Sequence, residues 1–172
     1  IQSPSHAQQL GISIVHQELN LMQDLTVAEN IFVGRESTKG LFLDKKEQNR
    51  KTDELLQSLH LNITARTVVK RLTVAQQQMV EIAKALSYNN TKILIMDEPS
   101  ASLTTAEIED LFTFIRRLKA TGVGIIYISH RMDELKEITD RVTVMRDGQY
   151  VDTVNTAKTT VDQIVQMMVG RV

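Results

Sequence analysis

The chain has 172 residues, a formal net charge of −1, 42% hydrophobic and 24% charged residues, and no cysteine. That length suits one domain with a real core, and the balanced charge gives no general footprint for nucleic acid. Disulfides and thiolate metal sites are excluded, which fits the cytosol, and no apolar run approaches the roughly 18 residues of a membrane span.

The opening Ile1-Gln2-Ser3-Pro4-Ser5-His6 has neither the charged start nor the apolar stretch of a signal peptide. It is expected to be an interior piece of something larger. Residues 11–16 alternate weakly and are rich in β-branched side chains, which predicts a short strand. A loop follows over 17–21. Thr26 with Glu29 three residues on has capping-box spacing and marks a helix start. Residues 34–39 read as loop. A charged helix is predicted over 44–60, with Leu55, Leu56 and Leu59 as its apolar face. The basic, aperiodic stretch 64–71 is expected to be a solvated connector.

Thr73 and Gln76 repeat the capping-box spacing, and Met79, Ile82, Ala83 and Leu86 then recur on one helical face. Asn89 and Asn90 are expected to end this helix. Next comes Ile93-Leu94-Ile95-Met96-Asp97-Glu98-Pro99, an apolar run entering two adjacent carboxylates. Such a run predicts a strand buried on both faces of a parallel sheet. Ligands of such sheets bind beyond the carboxyl ends of the strands, where Asp97 and Glu98 emerge. Adjacent acids there call for a cation, and nucleotide-bound Mg²⁺ is the natural candidate.

After a small-residue turn over 100–103, Thr104 and Glu107 open a helix with Ile108, Leu111, Phe112, Ile115 and Leu118 inward, closed by Gly122. Residues 123–129 predict a second buried strand delivering His130. Met132, Leu135 and Ile138 mark a short helix. The alternating runs 141–145 and 149–154 flank Asp147-Gly148, a hairpin signal. Thr160 and Gln163 cap a last helix carrying Ile164, Met167 and Met168.

Gln17, Asp97 with Glu98, and His130 each follow a predicted strand, so all are expected along one sheet edge. In this order the chain resembles the nucleotide-binding subunit of ATP-binding cassette (ABC) transporters. The matching stretches are Val15-His16-Gln17-Glu18, Leu72-Thr73-Val74-Ala75-Gln76-Gln77-Gln78, the run from Ile93 to Pro99, Ser100-Ala101-Ser102-Leu103, and Ile128-Ser129-His130-Arg131. The resemblance implies a partial P-loop NTPase fold: α/β, a mostly parallel sheet with a helical subdomain inserted, lacking the amino-terminal strands and phosphate-binding loop. Residues 1–18 and 88–172 would form the α/β core, and about 19–87 the helical signature subdomain. It implies ATP and Mg²⁺ as cofactors. Asp97 and Gln17 would hold the metal, Glu98 would polarise the attacking water, and His130 would contact the γ-phosphate. Thr73, Val74, Ala75 and Gln76 would grip ATP of a facing cassette at a helix amino end, with Ser102 also on the nucleotide.

The signature departs from the usual Leu-Ser-Gly-Gly-Gln, with Val74 and Ala75 in place of two glycines. Phosphate approach is therefore expected to be weaker, or to use right-handed helical geometry alone. Thr104 stands where the family usually has Asp. The stretches His16-Gln17-Glu18-Leu19-Asn20-Leu21, Ala28-Glu29-Asn30-Ile31, Gln77 to Ala85, Ser102-Leu103-Thr104 and Met167-Met168-Val169-Gly170-Arg171 are similar to monosaccharide importers of the ribose and galactose type. These imply a second cassette, in the same chain or a dimer, a transmembrane permease, an indirect sugar-binding protein and a peripheral place at the cytoplasmic face of the membrane. Nucleic acid is not an expected partner. No Gly-x-x-x-x-Gly-Lys-Ser/Thr occurs in the 172 residues, so this chain alone is not expected to hydrolyse ATP. The segment bearing that motif is expected to supply a strand beside residues 93–97. A catalytically silent ABC module and a soluble, non-transport ABC ATPase remain the alternatives.

Overall fold

In the computed structural model, residues 1–88 and 91–170 are described. The chain divides into two compact units, Ile1–Ile128 and one beginning at Ser129. The first contains α1 (Pro4–Gln9), β1 (Ile12–Val15), α2 (Val27–Ile31), β2 (Thr38–Lys39), β3 (Phe42–Leu43), α3 (Lys45–Ser58), a 3₁₀ turn (Val69–Arg71), α4 (Val74–Leu86), β4 (Ile93–Asp97), α5 (Thr105–Ala120) and β5 (Gly124–Ile128). The second contains α6 (Met132–Ile138), β6 (Arg141–Arg146), β7 (Gln149–Asn155), a 3₁₀ turn (Thr156–Lys158) and α7 (Val161–Val169).

The framework of the first unit is a parallel sheet ordered β1-β4-β5. Ile12 pairs with Ile93 and Val15 with Met96 on one side of β4, while Asp97 pairs with Ile128 on the other. Both flanks of β4 are thus taken, and the expectation that the segment bearing the phosphate-binding loop supplies the strand beside residues 93–97 is corrected. Among the described residues, the free edges are those of β1 and β5.

The second correction concerns burial. Leu94 and Met96 are fully buried, and Phe112 of α5 meets Tyr127 of β5 edge-to-face at 6.1 Å, so α5 covers the face these residues share. On the opposite face Ile14, Ile126 and Ile128 are 47%, 49% and 46% exposed. The apolar run reads as buried on both faces, yet among the described residues only one face is well covered.

Each predicted threonine cap is present. Thr26, Thr73, Thr104 and Thr160 form capping boxes with Glu29, Gln76, Glu107 and Gln163. Gly122 follows α5 with φ +93°, the left-handed closure expected of it, and the turn between β6 and β7 places Asp147 and Gly148 at φ +52° and +76°. The predicted stop at Asn89 and Asn90 lies outside the described residues; α4 itself ends at Leu86, capped by Ser87.

A helical cluster buries Leu21, Val27, Ile31, Leu56, Val69, Val80 and Ala83, with Leu55 and Leu59 against it. Here α4 is gripped from two sides, by α2 and by β1. Its buried positions are therefore Ala75, Gln78, Val80, Ile82, Ala83 and Ala85, while the predicted face residues Met79 and Leu86 are only half-buried. The stretch 64–71 is no solvated connector. Its Thr67 and Ala65 carbonyls accept from Val27 and Ala28, Val69 N–H donates to Leu25 O, and Ala65 and Val69 are fully buried. No periodicity announces this, because the pairing runs antiparallel through the single bridge Thr26–Val68.

Two small elements escape the sequence reading. Ser3 caps α1 with Pro4 at its start, and Gly40 at φ +63° turns β2 into β3 inside the presumed loop.

In the second unit the β6–β7 hairpin packs on α7, burying Val142, Val144 and Ile164. Thr139, which caps the end of α6, and Thr156 share a 2.9 Å hydroxyl contact, joining α6 to the 3₁₀ turn that follows β7.

Candidate functional site

Position on the sheet selects the site. Gln17 and Glu98 each stand two residues beyond the paired Val15 and Met96, so β1 and β4 deliver them to the same carboxyl edge. Asp97 is the last residue of β4 and, like Glu98, is partly buried, whereas Gln17 is exposed.

The turn after β4 is tightly held. Glu98 N–H donates to Ile128 O at 2.9 Å, Ala101 N–H donates back to Glu98 O at 3.1 Å, and Leu103 N–H donates to Ser100 O at 3.0 Å. Pro99 and Ser100 are buried and Ser102 is exposed. Glu98 has φ +46°, a left-handed conformation that costs a non-glycine residue of order 1 kcal/mol. Such strain persists where the surroundings over-determine it, and it gathers at functional sites.

The donors at this edge are oxygens: the Asp97 and Glu98 carboxylates and the Gln17 amide. That chemistry fits a hard cation, Mg²⁺ above all, which completes its shell with phosphate and water. Among the described residues no three His, Asp or Glu side chains form a metal cage. A cation at this edge would need further ligands beyond these side chains.

The amino end of α4 is a separate feature. Val74 and Ala75 are its first helical residues, so the signature segment has right-handed geometry, as its missing glycines require. The Thr73 hydroxyl accepts from Gln76 N–H at 3.2 Å, and the Gln76 amide oxygen accepts from Thr73 N–H at 3.0 Å. Gln76 is thereby committed to the cap. Thr104 and the α4 end share a carboxylate. Glu107 accepts from Thr104 N–H and its hydroxyl, both at 2.9 Å. These bonds, backbone first, hold its carboxyl below the usual range; burial opposes them and the Ala75 N–H adds a smaller pull.

His130 belongs to the second unit and is exposed. The chain on either side of it is pinned by Glu134, which is 2% exposed: Ser129 Oγ donates to its Oε2 at 3.2 Å, and Arg131 Nη1 lies 2.8 Å from its Oε1. Sequence reasoning misses Glu134, although its place four residues after His130 in a predicted helix is a usable signal. It also misses Glu81 and Gln77, one helical turn apart on α4. Glu81 accepts from Asn20 N–H at 2.6 Å, and Gln77 accepts from Gln23 Nε2 at 3.1 Å.

The fold and this edge define the class: a partial P-loop NTPase domain of the cassette type. The chain aligns with a solved ATP-binding cassette of an ABC transporter in its ADP conformation at TM-score 0.75 and 26% identity, covering 96% of this chain and 67% of that one. A nucleotide-free ATP-binding cassette gives TM-score 0.79 at 25% identity, covering 96% and 71%. Residues 2–101 match the family described as ABC transporter. The chain belongs to the ABC transporter family, whose cassettes bind ATP. It is 59% identical over 173 aligned positions to a protein of Burkholderia cenocepacia (strain HI2424) named as a ribose/galactose/methyl galactoside import ATP-binding protein, covering 99% of this chain and 34% of that protein. A similarly named protein of Albidiferax ferrireducens is 56% identical, again over 99% and 34%. The chain thus spans 34% of the length of these relatives. No helix among the described residues is long and apolar enough to cross a membrane.

Proposed function

We propose that this chain is the larger part of the amino-terminal cassette of an ATPase that powers sugar import. The observation carrying the reading is the shared carboxyl edge, to which the paired strands β1 and β4 deliver Gln17 and the strained Asp97–Glu98 turn. Close relatives named for ribose and galactose import give the substrate class. Within it, residues 1–18 and 88–172 act as α/β core and about 19–87 as signature subdomain. Facing cassette, permease and sugar-binding protein are its partners, and it sits peripherally at the cytoplasmic face of the membrane.

Asp97 and Gln17 would hold the metal. Mg²⁺, when bound, neutralises developing charge on the transferred phosphoryl group. Glu98 accepts a proton from, and orients, the attacking water; phosphoryl transfer asks for this positioning more than for covalent help. His130 donates to the γ-phosphate, its backbone steadied by Glu134. Val74 and Ala75 present first-turn N–H groups to ATP of the facing cassette, where the helix dipole favours an anion, and Ser102 reaches the nucleotide from the turn before α5. The β- and γ-phosphates still need a glycine-rich lysine loop that these 172 residues do not contain. Turnover therefore belongs to the longer protein.

The test is uptake of radiolabelled ribose and galactose by cells carrying the full-length protein with its permease. Uptake of either that stops with Glu98→Gln supports the reading. Unchanged uptake of both on deletion of the whole protein removes it. A silent regulatory module is disfavoured because Gln17, Asp97, Glu98 and His130 are all present.

A further inference from the structure

Gln17 lies between two firmly held pieces of chain. Upstream, β1 is laddered to β4 as far as Val15–Met96. Downstream, residues 18–23 are tied to helices. Asn30 of α2, 1% exposed, accepts from Met22 N–H at 2.7 Å and donates to Met22 O at 3.0 Å. On α4, the Glu81 carboxylate accepts from Asn20 N–H at 2.6 Å, and Asn20 Nδ2 closes the turn on Glu18 O at 3.1 Å. One turn earlier, Gln77 accepts from Gln23 Nε2 and donates to Leu72 O, both at 3.1 Å, next to the cap Thr73. His16 and Gln17 are left as the exposed link between strand and tethered loop.

We propose that Glu81 is a positioning residue for Gln17, a strut fixing the loop after Gln17 to the helix whose amino end forms the signature segment. This rests on the reading of Gln17 and Glu98 given above. The bond is charge-assisted, among the stronger kinds available to a backbone N–H. It fixes where the loop resumes after Gln17, so this carboxylate is the α4 tie nearest Gln17, with Gln77 holding Gln23 further along the loop. Glutamine at 81 still offers an acceptor, whereas alanine offers none.

The experiment uses the full-length protein with its permease and follows ATP turnover, KM for ATP, thermal midpoint and hydrogen exchange of the segment spanning 18–23. Glu81→Ala is expected to lower kcat about tenfold while KM moves less than about twofold, the mark of an interaction that acts on the chemical step rather than on binding. Asn20 N–H should exchange faster, the thermal midpoint should hold, and Glu81→Gln should recover most of the turnover. Unchanged turnover and exchange in Glu81→Ala overturns the proposal. So does a joint fall of kcat, affinity and thermal midpoint that Glu81→Gln does not relieve, because that is a folding role only. Glu98→Gln, measured alongside, separates two failures. Turnover that survives it removes the catalytic reading beneath the strut; turnover lost there but intact in Glu81→Ala removes the strut alone.

Discussion

Asn30 is the strongest single-residue test of how the helical part is held. Its side chain is 1% exposed and makes three hydrogen bonds: Oδ1 accepts from Met22 N–H at 2.7 Å, and Nδ2 donates to Met22 O and Thr26 O, each at 3.0 Å. Removing such a side chain forfeits about 1 kcal/mol per bond and strands partly buried backbone groups, so Asn30→Ala should cost about 2–4 kcal/mol. At a urea slope of about 2 kcal/mol/M, that lowers the unfolding midpoint by about 1–2 M. Asn30→Asp adds a sharper expectation. It keeps the acceptor for Met22 but turns an oxygen toward two carbonyls, and burial disfavours its charge, raising the carboxyl pKa on folding. A folded pKa above the unfolded value means destabilisation that is complete above the folded pKa and disappears below the unfolded one. The Asp variant should therefore gain stability, relative to the unsubstituted protein, as pH falls from 7 to 5. Urea unfolding followed by circular dichroism at both pH values measures this. An Ala midpoint within about 0.3 M of the unsubstituted protein, or an Asp variant with no relative pH response, refutes the reasoning.

Two further outcomes are expected. Glu29 is held below the usual carboxylate range, first by the Thr26 backbone N–H and then by the Thr26 hydroxyl. Its contribution to α2 is present above the ordinary carboxyl pKa and is lost as pH falls through the lowered one; carboxyl NMR titration should show Glu29 protonating after exposed glutamates, and Thr26→Ala, which removes the hydroxyl but keeps the backbone N–H, should move it only part of the way back toward the ordinary range. Gly148 at φ +76° has open space where a Cβ would go, so Gly148→Ala should cost about 1 kcal/mol from backbone strain alone; thermal unfolding that is unaltered by the change contradicts this.

Much of the architecture is written locally. A threonine three residues ahead of Glu or Gln sets the start of α2, α4, α5 and α7, because the cap depends on four consecutive positions and nothing distant. Asp147-Gly148 fixes its turn for the same reason. What stays hidden is decided between distant segments. Residues 64–71 look solvated until Val27 and Ala28 claim their carbonyls, and α4 shows one apolar face although α2 and β1 press it from two sides. The site divides likewise. The positions of Asp97, Glu98 and Gln17 are legible because each ends or closely follows a recognisable strand. Glu81 and Glu134 are not, since a carboxylate on a helix looks like any solvated charge until its partner, a backbone N–H or a hydroxyl and guanidinium, is seen. The left-handed Glu98 is equally invisible, as nothing local asks a glutamate for positive φ.

The central claim is that Glu98 is the water-orienting carboxylate of an ATPase. The most direct measurement is ATP hydrolysis by the full-length protein against its Glu98→Gln variant, with nucleotide affinity determined for both. Turnover lost in the variant while ATP still binds is the predicted result. Turnover that persists in Glu98→Gln, or an unsubstituted protein that binds ATP and never hydrolyses it even with its permease present, contradicts the account.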